Sequence, residues 1–241
     1  MRRFPLLILY FFAVAPMAGG DAAKLFLDAV RKGDAAKVSA LADADPRLVD
    51  ARAPDGVAAV RVALYYRHPE IARALIQRGA ALDFYDAAAA GQIERMRKLL
   101  ASDASLPNTL SSDGATALGL AAFFADRASV EFLLDRGANI DMLATNPAFP
   151  FAPLHSAMSA GHRDIVDLLL ARGADVNVRE GGGLTVLHEA AGLGSMEYVR
   201  LLLAHGANPG ARTGAGKLPE DFAQERNFPA IVEVLREARR R

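Results

Sequence analysis

Two kinds of apolar stretch alternate along this chain. One is short and rich in alanine, as in Thr185–Leu193. The other carries apolar residues three and four apart, as in Ile165, Val166, Leu168, Leu169 and Leu170. The second spacing predicts a helix with one buried face. Thr185 stands just before a stretch of the first kind, where a hydroxyl caps a helix N-terminus. In the neighbouring copy Pro153 takes the first helical turn, where no backbone N–H is missed. Gly161 and Gly194 separate the two stretches, and Gly173 and Gly206 follow the second, where a left-handed residue ends a helix. The pattern therefore predicts helix, tight turn, helix and loop, written repeatedly.

The repetition is direct. Leu154-His155 recurs as Leu187-His188, Gly161 as Gly194, Leu168-Leu169-Leu170 as Leu201-Leu202-Leu203, and Gly173-Ala174 as Gly206-Ala207. Each offset is about 33 residues, and a unit of that size buries its apolar face only by stacking on neighbours. These residues resemble the ankyrin-repeat pattern D-G-x-T-P-L-H-x-A-A-x-x-G-H-x-x-I-V-x-L-L-L-x-x-G-A-x-V-N over nearly all of residues 24–241. The resemblance implies an all-α solenoid of helix-turn-helix units joined by β-turn or hairpin loops. It also implies protein recognition without catalysis, bound cofactor or metal.

Seven units follow: an N-terminal cap over 24–53, then 54–83, 84–112, 113–145, 146–180 and 181–213, and a C-terminal cap over 214–241. The unit at 84–112 keeps its helix pair around Gly91 but has no room for a preceding β-turn. In 54–83, Ala58, Ala59 and Arg61 replace the family's Thr, Pro and His; in 113–145, Gly119 replaces the histidine. The step from Thr116 to its equivalent Ala152 is about three residues longer than the repeat period, and the extra length falls in the proline-rich loop Leu143–Pro153. In the last unit Glu220 stands where the pattern wants a core leucine, as expected of a terminal unit with one face in water.

The first twenty residues depart from this pattern. Arg2 and Arg3 precede the apolar run Leu6–Ala15, and Ala18, Gly19 and Gly20 follow. A basic start, a short apolar middle and a small-residue end describe a secretory signal, expected to be cleaved after Gly20. The mature chain is then periplasmic, exported across the inner membrane of a bacterium and free of the membrane; an uncleaved anchor on a membrane-tethered adaptor is the alternative. The chain has no cysteine, which excludes disulfides and thiolate metal sites, and its net formal charge of zero gives no global attraction to nucleic acid. A monomer is expected.

The histidines are the other candidate for chemistry, as metal ligands or a general base. None has a metal-ligand spacing such as H-E-x-x-H. The resemblance places His155 and His188 where the ring ties the turn and the next unit together. Asp28, Asp86, Asp113, Asp141 and Asp175 recur at loop or helix-edge positions, as solvated turns require, and Gly181-Gly182-Gly183 reads as a flexible hairpin tip. One group stands apart. Tyr65, Tyr66, Phe123, Phe124 and Leu193 fall at ends of first helices, and Phe149, Phe151 and Leu184 on hairpins, all facing the concave side of such a stack. Either they form an exposed apolar strip that receives a protein partner, as an inhibitor, immunity protein or scaffold would, or some rings, Phe124 and Phe151 above all, turn inward to fill space left by the longer loop.

Overall fold

The computed structural model describes residues 19–124, 126–146 and 150–240. The apolar run of the signal segment and Phe149 lie outside them. Among the described residues the α-helices form seven consecutive helix-turn-helix pairs and no strand is present. The pairs are α1 (Gly19–Lys32) with α2 (Ala35–Ala44), α3 (Ala59–Tyr65) with α4 (Pro69–Gln77), α5 (Phe84–Ala89) with α6 (Ile93–Leu100), and α7 (Ala117–Phe124) with α8 (Arg127–Asp135). Then come α9 (Pro153–Ala160) with α10 (Arg163–Ala171), α11 (Val186–Leu193) with α12 (Met196–Ala204), and α13 (Pro219–Glu225) with α14 (Pro229–Arg240). No described helix is long and apolar enough to cross a membrane.

Each first helix packs on the first helices of its neighbours, and their alanines let the backbones approach. Ala63, Ala88, Ala121, Ala157 and Ala190 are fully covered. The leucines of the second helices close the core from the other side: Leu75, Leu133, Leu169, Leu202 and Leu235 are also fully buried. The result is one continuous apolar core running through all seven pairs. On the loop side the units are tied by asparagines. Asn139 N donates to Asn108 Oδ1 at 2.7 Å and Asn108 Nδ2 donates to Gly137 O at 2.8 Å; Asn208 N and Asn177 Nδ2 repeat this two units later.

The helix ends follow the sequence. Thr185 and His188 form a reciprocal cap at the start of α11, Pro153 opens α9, and Gly161 and Gly194 have φ of 77° and 74°. A histidine after the inter-helix turn binds the preceding unit. His162 Nε2 lies 3.2 Å from Phe123 O, and His68 Nε2 makes the equivalent contact with Arg31 O.

Hairpin-like turns close at Arg52↔Ala58 and Leu110↔Thr116, but none lies between α4 and α5, where Asp83 caps α5 directly. The turns on either side of this gap therefore meet: a Cβ added to Gly56 would lie 2.8 Å from Ser112 Oγ.

Two expectations are corrected here. Glu220 does not face water; it is 6% exposed, and Arg239 and Arg236 reach its carboxylate at 3.2 and 3.5 Å. The last pair thus substitutes a clamped charge for a leucine. Gly181–Gly183 is a turn tied to the next unit, since Gly182 O accepts from Gly214 N at 2.7 Å, and Gly182 and Gly183 take the left-handed backbone that glycine allows.

Candidate binding cavity on the hairpin face

One position governs this face: the third residue of each first helix, which the family pattern gives to histidine. His188 fills it fully. Its Nδ1 lies 2.9 Å from Thr185 Oγ1 and accepts from Thr185 N at 3.1 Å, its Nε2 lies 3.2 Å from Lys217 O of the next unit, and its ring meets Phe222 edge-on at 5.3 Å. His155 departs from the expected role. It is fully buried and stacks near Phe151, but neither ring nitrogen has a hydrogen-bond partner among the described residues. Ala152, standing where α11 has Thr185, supplies no hydroxyl. Burial, with a smaller effect of His188, holds His155 down to about 4, so the ring is neutral at physiological pH.

In α7 the same position is Gly119. Its N–H donates to Thr116 Oγ1 at 3.0 Å, but residue 119 itself brings no ring into the space beyond. A cavity of about 170 Å³ remains, walled by Leu120, Phe123 and Phe124 of α7, by Tyr65 of α3, and by Phe151 and Ser156 of the following unit. The rings pack obliquely around it, Tyr65 on Phe124 with centroids 5.5 Å apart and Phe123 on Phe124 at 4.6 Å. Ala144 and Asn146 of the proline-rich loop form its rim, and Arg67 completes the lining.

In α3 the position is Arg61, and the result is a buried ion cluster. Arg61 is 0% exposed; its Nε lies 3.4 Å from Asp86 Oδ1 and its Nη1 3.3 Å from Asp113 Oδ1. Asp86 also accepts from Asp83 N as part of the α5 cap. Ser111 Oγ and Tyr65 Oη donate to Asp113 at 2.5 and 2.7 Å. The expectation that Asp86 and Asp113 sit on solvated edges is therefore wrong: both carboxylates are turned into the stack to meet Arg61. Burial and the Asp83 charge push Asp86 up to about 6 against the pull of Arg61. Burial also acts on Asp113, but the Ser111 hydrogen bond and Arg61 outweigh it and hold that carboxyl below its ordinary value. Burial raises the Tyr65 hydroxyl, so it donates as a neutral phenol.

The sequence-predicted strip is thus divided. Tyr65, Phe123, Phe124 and Phe151 come together around the cavity, each half-buried. Tyr66 and Leu193 stand outside it, 52% and 53% exposed, and Leu184 is half-buried beside the glycine turn. Arg67 was not among the expected site residues. Its signal is a charged residue in the slot that Gly161 and Gly194 occupy in later units. Further along the same face, Ser159 hydrogen-bonds Glu189, whose carboxyl burial raises, and burial together with the Glu189 charge lifts Glu180 to about 7.

A family model described as ankyrin repeats in three copies matches residues 84–180 and 154–240. Among curated proteins, the chain is 33% identical over 105 residues to a palmitoyltransferase, Hip14, of Drosophila melanogaster, covering 44% of this chain and 16% of that protein. It is 36% identical over 103 residues to an ankyrin repeat and SAM domain-containing protein of Rattus norvegicus, covering 43% and 11%. It is 43% identical over 60 residues to the 2-5A-dependent ribonuclease of Mus musculus, covering 25% and 8%. The chain spans less than a fifth of the length of each of these relatives, at most 16%.

Proposed function

The chain belongs to the ankyrin-repeat family, and on that premise we propose that it is a non-catalytic binding protein of the bacterial periplasm that holds a protein partner on its hairpin face. Ankyrin repeats form interaction modules, and the observation that carries the choice of face is the aromatic cavity between Tyr65, Phe123, Phe124 and Phe151. Apolar surface gathered on one side of a soluble stack marks a contact site, and aromatic anchors supply a large share of interface energy. Exposed Tyr66 and Leu193 extend the apolar surface beyond the cavity. Three of the five histidines serve the stack itself: His68, His162 and His188 lie against carbonyls of adjacent units. An inhibitor or immunity protein masking an exported enzyme, or an envelope scaffold, is the role this surface suits.

Export rests on Arg2, Arg3, the run Leu6–Ala15 and the small residues to Gly20. Fractionation and N-terminal sequencing are expected to find mature chains beginning at Asp21; a full-length product retained in membranes would instead make the protein a tethered adaptor. For the partner, the double variant Phe123→Ala with Leu193→Ala should lose capture from periplasmic extract while keeping its far-UV circular dichroism. Undiminished capture of the same partner would place the contact on another surface.

A further inference from the structure

We propose that the cavity beside Gly119 is a binding site for a small organic carboxylate, with one ring or a branched aliphatic group as its body and a single anionic head. The idea goes beyond the protein-partner reading, because a free acid fills the cavity whether or not a protein docks on its rim.

Size sets the body. The space of about 170 Å³ is close to that of an apolar cavity of about 150 Å³ that takes benzene, and well short of the roughly 300–1,000 Å³ of a site for drug-sized ligands. One ring fits. The emptiness is built in, because the chain places glycine where His155 and His188 stand in the next two units, and a Cβ on Gly119 would lie 2.7 Å from Thr116 Oγ1. The walls are the aromatic rings of Phe123, Phe124 and Phe151 with Leu120.

Charge sets the head. Among the described residues that line the cavity, Arg67 is the one with a charge. Arg67 is exposed and its guanidinium makes no ion pair or side-chain hydrogen bond among the described residues, whereas Arg61 is already committed to Asp86 and Asp113. The backbone of Arg67 is at φ 63°, in the slot where Gly33, Gly91, Gly161 and Gly194 have φ between 68° and 77°. An L side chain is strained there, and the other such residue, Asn227, is of a type that tolerates the conformation. Strain retained at a residue that lines a cavity is the kind of local cost that binding sites keep. What the chain gains at residue 67 over a glycine is a planar cation suited to a carboxylate.

The test uses 3-phenylpropionate, its uncharged amide, acetate, and the tripeptide Gly-Gly-Phe, titrated into the purified protein at neutral pH by calorimetry and amide-resolved NMR. The acid is expected to bind saturably, shifting Ala115, Gly119 and Phe123, with the amide about tenfold weaker or worse for loss of the charge-assisted contact and acetate not binding. Arg67→Gly, and separately Arg67→Asn, should weaken the acid about tenfold or more while the Tm stays unchanged or rises, because both residues accept the left-handed backbone. The proposal is overturned if 3-phenylpropionate does not bind, if acid and amide bind equally, or if both Arg67 variants bind like wild type. Tighter binding of Gly-Gly-Phe than of the free acid would also overturn it, by making the cavity an anchor for a polypeptide terminus.

Discussion

At the third position of the first helices, Arg61, Gly119, His155 and His188 meet four different surroundings, and each residue can be tested by what its removal leaves behind. Arg61→Ala strips the counter-charge from two buried carboxylates, so it should cost about 3–5 kcal/mol in chemical denaturation, as breaking a buried pair from one side does. The pH dependence separates the others. Asp86 is raised to about 6 from an ordinary 3.8, so its contribution to stability is full below the ordinary value and is lost as pH rises through 6. His155 is lowered to about 4 from 6.5; its contribution is full above 6.5 and is lost as pH falls towards 4. Measured as urea midpoints, the advantage of wild type over Asp86→Asn should shrink from pH 4 to 6, and its advantage over His155→Gln should shrink from pH 6.5 to 4. Gaps that stay constant across those windows would mean that the two groups titrate alike in the folded and unfolded chains.

Among the elements, the glycines that end helices look equivalent in sequence and are not. Gly173 and Gly194 have φ of 88° and 74°, but a Cβ on Gly173 meets nothing within 4 Å whereas one on Gly194 would lie 2.5 Å from the Phe228 ring of the next unit. Gly173→Ala should cost only the roughly 1–2 kcal/mol of the left-handed backbone, and Gly194→Ala should cost more because α13 and α14 must also give way. Leu169→Ala and Leu202→Ala, each emptying a fully buried site, should cost about 2–5 kcal/mol. Similar midpoints for Gly173→Ala and Gly194→Ala would show that the contact with Phe228 is easily relieved. The helix pairs were legible because their signals are local: Thr185, Pro153, Gly161 and the leucine spacing each act within one unit. The Arg61 cluster was not, because Arg61, Asp86 and Asp113 come from three units and each alone reads as a polar edge. The cavity was half legible. Equivalent positions gathered Tyr65, Phe123, Phe124 and Phe151, but whether the rings would leave a space depended on Gly119, whose missing side chain has no pattern of its own, and Arg67 was hidden by reading the glycine slot as a turn only.

For the molecule as a whole, stacking makes each unit's stability depend on its neighbours, and the abbreviated α5–α6 pair is the place where that register changes. Helices advance by one pair there, but the row of turns does not: Gly56 already lies against Ser112 across the gap, while Arg61 and Asp113 bind the same two flanking units from within. The row of turns thus has one member fewer than the row of helix pairs, and the two turns beside the gap bear directly on one another. A four-residue turn inserted between Leu82 and Asp83 should part Gly56 from Ser112 and Arg61 from Asp113, and the urea midpoint should fall. The aromatic cavity borders this joint, with Tyr65 on one flank and Phe123 on the other, and Tyr65 Oη donates to Asp113 across it at 2.7 Å. The spacing of the two flanking units is therefore a dimension that the joint and the cavity share.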